Sequence, residues 1–493
     1  MSVNEIRAYI QAGWDTLTRS QQDILAAAKD PKLDLEPGQP ALVYISAKED
    51  RETVEQALRQ ALAPEELAQL EIRQLPGKTE PLQQHGLLYL PHAYVVPGGR
   101  FNELYGWDSY FIQLGLLRDR KIQLARRLVD NFLYEIDHYG AILNANRSYY
   151  LTRSQPPFLG QMILAVFEQI QDRQWLSSTL PAVQQCYDYW LMPSHLAGKT
   201  GLSRYFDSGE GPAPEVLSSE QDEAGRTHYD RVKAFYRTNS VEDYEVREFY
   251  DFETDCLTPL FYQGDRSMRE SGFDPSNRFG PFSVDIIRYA PVCLNALLYQ
   301  LEQDAAQINR ILGYEAEVGR WLGLAQERCQ QINRLLWDED AGLYYDYNFT
   351  TGQRRHYEFA TTFYPLWVGL ASQHQAERVV GNLARFEAAG GLLTSTCVTG
   401  SQWDAPFGWA PLQWIAIQGL HRYGYVEDAE RLAQKFITLV VREFEQQGTL
   451  VEKYDVERCS ARVSADIRFG YRSNEIGFGW TNGVLVGLLD YLG

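Results

Sequence analysis

An all-α fold carrying a small N-terminal α/β appendage is what this sequence predicts, and three observations carry the prediction. From residue 109 onward, apolar residues recur at helical spacing in segment after segment, joined by short connections. Strand candidates are short and isolated, apart from one strand-helix-strand group before residue 76. No fixed-period repeat is visible, so the helices are expected to bury their faces in a closed ring of hairpins rather than an open solenoid. The chain divides into residues 1–90, a helix with the appendage, and residues 91–493, the main helical domain.

With 493 residues, 45% of them hydrophobic, the chain can bury a large core, and no Pro- or Ser-rich linker cuts it. A net charge of -19 argues against nucleic acid or an anionic membrane as partner, whereas a neutral small substrate is indifferent to it. The start, Met1-Ser2-Val3-Asn4-Glu5, is polar, and no stretch is apolar for long enough to span a bilayer, so a cytoplasmic location is expected. The six cysteines are scattered without CxxC spacing and read as reduced thiols. The eight histidines include no HExxH pair, so neither a metal nor another cofactor is expected, and the oligomeric state stays open.

Taken in order, residues 2–29 read as an amphipathic helix through Ile6, Ile10, Trp14, Leu17, Ile24 and Leu25. Ala41 to Ser46 is a strand candidate, Glu52 to Leu62 a helix and Glu71 to Leu75 a second strand; we read this unit as a packing appendage. Helices follow at 109–118, 121–138, 157–172, 178–190, 283–303, 315–336, 359–371, 374–385, 409–422, 426–445 and 478–491. Residues 201–247 interrupt the pattern with Gly209-Glu210-Gly211-Pro212-Ala213-Pro214-Glu215 and an acidic, tyrosine-bearing run. A long connection of this kind is usually functional, and residues 205–245 are expected to form a lid that orders over bound ligand.

The chemistry concentrates in Pro97-Gly98-Gly99-Arg100-Phe101-Asn102-Glu103-Leu104-Tyr105-Gly106-Trp107-Asp108-Ser109-Tyr110. Aromatic faces suit the C–H face of a pyranose, and carboxylate and guanidinium groups suit its hydroxyl rim. This stretch resembles the first signature of the trehalase family of glycoside hydrolases, and Gln402-Trp403-Asp404-Ala405-Pro406-Phe407-Gly408-Trp409 resembles the second. Similarity continues through Asn144-Ala145-Asn146-Arg147-Ser148-Tyr149-Tyr150, Arg153-Ser154-Gln155-Pro156-Pro157-Phe158, Glu270-Ser271-Gly272-Phe273-Asp274, Glu452-Lys453-Tyr454-Asp455 and Gly477-Phe478-Gly479-Trp480, covering roughly residues 90–490. The resemblance implies an (α/α)6 barrel with its site at one mouth.

Glycoside hydrolysis needs a carboxylic acid to protonate the leaving oxygen and a carboxylate opposite it. Composition cannot choose two from 65 acids; local context narrows the field to Asp274, in an irregular aromatic turn, and Glu452, among apolar neighbours, the other readings being that Asp274 caps a turn and Glu452 pairs with Lys453 or Arg458. The resemblance places the general acid at Asp274 and the general base at Glu452, and implies inversion at the anomeric carbon. Around the sugar it places Arg100, Phe101, Tyr105, Trp107, Asp108, Asn144, Arg153, Gly272 and Trp403, with Trp409 beside them. Two departures lie toward the leaving group. An Arg-Pro-Glu element usual in the family reads Ala213-Pro214-Glu215, which keeps Glu215 as a ligand, and a glycine-rich run is replaced by Ile467 to Glu475. The expected substrate is therefore a small α-glucoside with a leaving group other than glucose, glucosylglycerol first and glucosylglycerate second. The alternatives are an α,α-trehalase in which Arg472 or another basic residue replaces the missing Arg, and a non-catalytic sugar binder.

Overall fold

The structure, a computed structural model, describes residues 3–30, 32, 38–77, 82–217, 225–462, 467–470 and 473–493. Its main body is the expected (α/α)6 barrel. The inner ring runs through Asp108–Arg118, Leu159–Ile170, Val292–Leu312, Tyr364–Trp367, Ala410–Arg422 and Gly479–Leu492, each packed on the next and the last on the first. Ile122–Tyr139, Leu180–Trp190, Glu315–Leu335, Gln373–Gly381 and Val426–Gln447 lie outside it. The inner helices are apolar on nearly every side, as Trp414, Ile415, Ala416 and Ile417 are, because both flanks and the outer face are covered. Closure needs two backbones to touch: a Cβ on Gly483 would lie 1.9 Å from the Phe111 carbonyl oxygen, so only glycine fits there.

The sixth outer position is taken by Val3–Leu17. Its Ile6, Ile10 and Trp14 are buried in the main core against Gly479–Leu492 and Val426–Gln447, and the Trp14 indole donates to Asp119 at 2.6 Å. The single helix expected over 2–29 ends at Leu17, because Thr18 and Arg19 pair as a strand with Val95 and Tyr94 and Ser20 caps a new turn.

Beyond it, Ala41–Ile45 lies between Leu70–Gln74 and Leu87–Leu88 in a three-stranded parallel sheet, with Arg51–Ala61 as the crossover. One sheet face has its own core around Val43, Ile45, Val54 and Leu58. The other, through Leu42, Tyr44 and Leu88, packs on Tyr105, Leu143, Ala145, Tyr149 and Tyr150, which belong to the loops at the barrel mouth. The appendage is thus a floor beneath the site loops. A fully buried Arg147 fastens it, donating to Glu103 at 2.7 Å and to the Ala27 carbonyl at 2.5 Å, while Tyr149 donates to Asp30 at 2.8 Å.

Three expectations change. The helix expected over 283–303 is a 3-10 segment, Pro281–Arg288, with Phe282 and Ser283 at positive φ, then strand Tyr289–Ala290 and helix Val292–Leu312. Pro259–Glu270, which sequence periodicity did not suggest, is a helix capped by Thr258. Within the lid segment, His228–Thr238 is a capped helix, and Ala213, Val216, Tyr229, Val232, Tyr236 and Tyr244 share a core with Phe249, Phe261 and Phe282. The segment has an apolar anchor that its polar composition hid; residues 218–224 lie outside the described ones.

Candidate active site

The first signature turns from strand Tyr94–Val95 into the inner helix Asp108–Arg118, and side chains from neighbouring loops fix its path. Gly106 N–H donates to the Asn144 carbonyl at 3.3 Å, Asn144 N–H to the Arg153 carbonyl at 3.0 Å, and Trp107 N–H to the Gln155 side chain at 2.9 Å. Three stretches distant in sequence are thereby knitted into one wall bearing Phe101, Tyr105, Trp107, Asp108, Asn144 and Arg153. Burial pushes the Asp108 carboxyl well above the usual range, and the charge of Glu452 adds to the rise.

An aromatic box forms the floor. Trp403 stacks on Trp409 at 3.8 Å and 6°, and Trp107 meets Trp403, Trp480 and Phe273 at 5.5 to 5.8 Å. Gly272 has a φ of +78°, and a Cβ there would sit 2.9 Å from the Trp107 ring, so the ring lies flat against this turn only because the residue is glycine. The turn then delivers Asp274 to the cavity.

Asp274 and the groups around it form the second wall. Burial raises its carboxyl to about 7, against the opposing pull of Arg269 and Arg153. Its side chain keeps 27% of its surface open to the cavity, the face that a substrate would cover. The helix Pro259–Glu270 brings in Arg269, which lies 3.6 Å from Asp274 and is gripped through two nitrogens by Asp265 at 3.1 and 3.2 Å. Asp265 also accepts from the Tyr229 hydroxyl at 2.9 Å, and that hydroxyl accepts from the Ala213 N–H at 3.0 Å, so the helix His228–Thr238 is tied to the helix that brings in Arg269. Arg153 pairs with Glu215; burial would raise that carboxyl, but Arg153 and Arg269 outweigh it and hold it below the usual range. Glu270 accepts from Ser154 N–H, Phe206 N–H and the Tyr189 hydroxyl, which fixes the loop carrying Arg153.

Glu452 faces this wall from just ahead of strand Lys453–Asp455, which pairs with Phe407–Trp409 of the second signature. Its N–H donates to the Glu475 carbonyl at 2.9 Å and its carbonyl accepts from the Trp480 indole at 3.0 Å, so its backbone is pinned on both sides. Gln402 donates to the Asp274 carbonyl and accepts from Lys453, linking the two walls.

The structure therefore gathers Phe101, Tyr105, Trp107, Asp108, Asn144, Arg153, Glu215, Gly272, Trp403, Asp274 and Glu452, all named from the sequence, around one cavity with an empty volume of about 670 Å³, mouth included. Arg100 is not in its lining: it stands at the rim, 3.5 Å from Glu475 and over the Phe101 ring. Sequence reasoning did not assign a role to Arg269, Gln402, Trp480, Phe478, Tyr150 or Lys32, which also line it. For Arg269 the available signal was Thr258-Pro259, a capping residue followed by a first-turn proline.

The profile of the trehalase family matches residues 3–493. A cytosolic neutral trehalase of Kluyveromyces lactis is 37% identical over 95% of this chain and 68% of its own length, and one of Neurospora crassa is 36% identical over 95% and 70%. Among solved structures, neutral trehalase Nth1 from Saccharomyces cerevisiae superposes with a TM-score of 0.82 at 34% identity, covering 100% of this chain and 94% of that one. A mannosylglycerate hydrolase from Thermus thermophilus, at 18% identity and TM-score 0.53 over 81% of this chain and 96% of that one, shares the fold. Barrel and site define a glycoside hydrolase. The chain belongs to the trehalase family.

These relatives overturn the expectation of a glucosylglycerol- or glucosylglycerate-type substrate, since proteins 35–39% identical over most of the chain are named trehalases. The missing Arg misled for a physical reason. Ala213 is fully buried in the apolar cluster with Tyr229 and Tyr236, while the cavity wall carries two guanidinium groups, those of Arg153 and Arg269. Arg472, the replacement suggested by sequence, lies outside the described residues.

Proposed function

We propose that the protein is an inverting α,α-trehalase that hydrolyses trehalose to two glucose molecules. The observation that carries this reading is the wall of Asp274, Arg269, Arg153 and Glu215, an acid held near neutrality beside two guanidinium groups and a carboxylate able to bind a second sugar's hydroxyls. In the proposed reaction one glucosyl ring lies on the aromatic floor against Trp107 and Asp108. Asp274 gives its proton to the glycosidic oxygen as the bond from that oxygen to the anomeric carbon breaks. Water attacks the same carbon from the opposite face, and Glu452 takes the proton it releases. The proton balance is restored when Glu452 loses and Asp274 regains a proton from solvent. The names of the relatives, which include cytosolic neutral trehalases, support a cytoplasmic enzyme.

Purified enzyme given trehalose is expected to release glucose, and proton NMR in the first turnovers should show the α and β anomers in equal amounts, the β anomer from the attacked ring. Only the α anomer would mean retention, and no glucose release would overturn the substrate assignment.

A further inference from the structure

Next to the base sits a lysine that no aspect of the assigned chemistry uses. The Lys453 side chain is 0% exposed, and its ammonium donates to Glu452 Oε2 at 3.1 Å, to Gln402 Oε1 at 3.2 Å and to the Ser473 carbonyl at 3.2 Å, with the Trp409 ring 5.3 Å away. Lysine is almost never buried so completely, because removing an ammonium from water costs several kcal/mol unless good partners replace the water, by order of magnitude. Here three acceptors meet the three donors of the group. An apolar residue would fill the same space without that cost, which directs attention to what the charge does.

We propose that Lys453 is a positioning residue for hydrolysis: its ammonium holds one oxygen of Glu452 in place and leaves the other oxygen to take the proton of the attacking water. The proposal rests on the trehalase reading only in taking Glu452 as the base. Its physical ground is the crowding of carboxyls. Asp108 faces Glu452 from the helix Asp108–Arg118, and Asp274 with Arg269 faces it from across the cavity. Lys32 reaches the lining from the N-terminal part, while Glu475, whose backbone binds Glu452, spends its charge on Arg100 at the rim. Like charges in one cavity repel each other, so the carboxyl that is to be the base must be held in place. Lys453 does so by direct contact. The link through Gln402 to the Asp274 carbonyl also sets the distance of this ion pair from the acid.

The test compares Lys453→Met and Lys453→Arg with the wild type. In Lys453→Met kcat for trehalose should fall about tenfold or more with KM changed less than about threefold, and Lys453→Arg, which keeps a cation beside Glu452, should recover most of kcat. An equal loss in both variants, or a loss carried by KM, would mean a merely structural lysine and overturn the proposal. Circular dichroism checks folding, and Lys453→Gln stands in if the methionine variant does not fold. A second readout needs no turnover: in a crystal structure of Lys453→Met the Glu452 carboxylate should leave its wild-type place. An unmoved carboxylate refutes the proposal even if trehalose proves not to be the substrate.

Discussion

A group proposed to donate a proton near neutrality is useful only if it still holds that proton, and Asp274 is held in that state at a cost to the fold. A carboxyl whose folded value is raised from 3.8 to about 7 favours the native state below the unfolded value, and that advantage is lost as pH rises through the folded one. Asp274→Asn should therefore melt higher than the wild type at pH 8, by an amount on the order of a few kcal/mol, and equally at pH 3. The same variant should lose at least about a thousandfold in kcat while keeping KM within several-fold, because the amide keeps the shape and loses the proton. Calorimetry at two pH values and steady-state kinetics check the two halves of this prediction. Asp274 and Glu452 were legible in the sequence through their motif neighbours. Their environments were not, since burial and the approach of Arg269 and Lys453 arise only when distant segments meet.

Elements show the same division. The long helices Glu315–Leu335 and Val426–Gln447 fall within two residues of their expected ends, because one apolar face and one solvated face write a clean period. Pro259–Glu270 escaped because its buried residues include Asp265, Arg266, Ser267, Arg269 and Glu270, polar and charged types that in the sequence read as a solvated stretch. The helix His228–Thr238 is coupled to that element through a shared core and through the Tyr229 hydroxyl. Tyr229→Phe strands the Ala213 N–H and removes a donor from Asp265, and should cost about 1–3 kcal/mol in urea unfolding. Ala213→Arg is expected to destabilise the fold rather than change substrate choice, since the methyl group is fully buried in an apolar cluster that a guanidinium would have to displace. A fall in melting temperature without a shift between trehalose and other α-glucosides is the expected result.

At the scale of the molecule, the appendage and the barrel share a cluster of buried charges. Burial pushes Glu103 up, but Arg147 and Lys32 outweigh it and hold it below the usual range. Arg147→Met would leave Glu103 and Asp30 facing each other without that cation, and a loss of about 3–5 kcal/mol is expected, together with lower kcat as the loops bearing Tyr105 and Asn144 loosen. Denaturant titration and kinetics on one preparation check both.

The helix Val3–Leu17 completes the outer ring by lying against Gly479–Leu492, so the earliest and latest helices are neighbours. Ile6, Ile10 and Trp14 precede Gly479–Leu492 by more than 460 residues, so during synthesis the stripe is not fully covered until that helix has been joined. Loop closure over such a distance is slow, and the waiting apolar stripe is open to wrong partners. A ribosome stalled before residue 479 should carry a nascent chain whose first helix is digested readily by protease, and protection should appear only after Gly479–Leu492 has emerged. The barrel is in this sense a ring that the cell can close only after the last staves have been delivered.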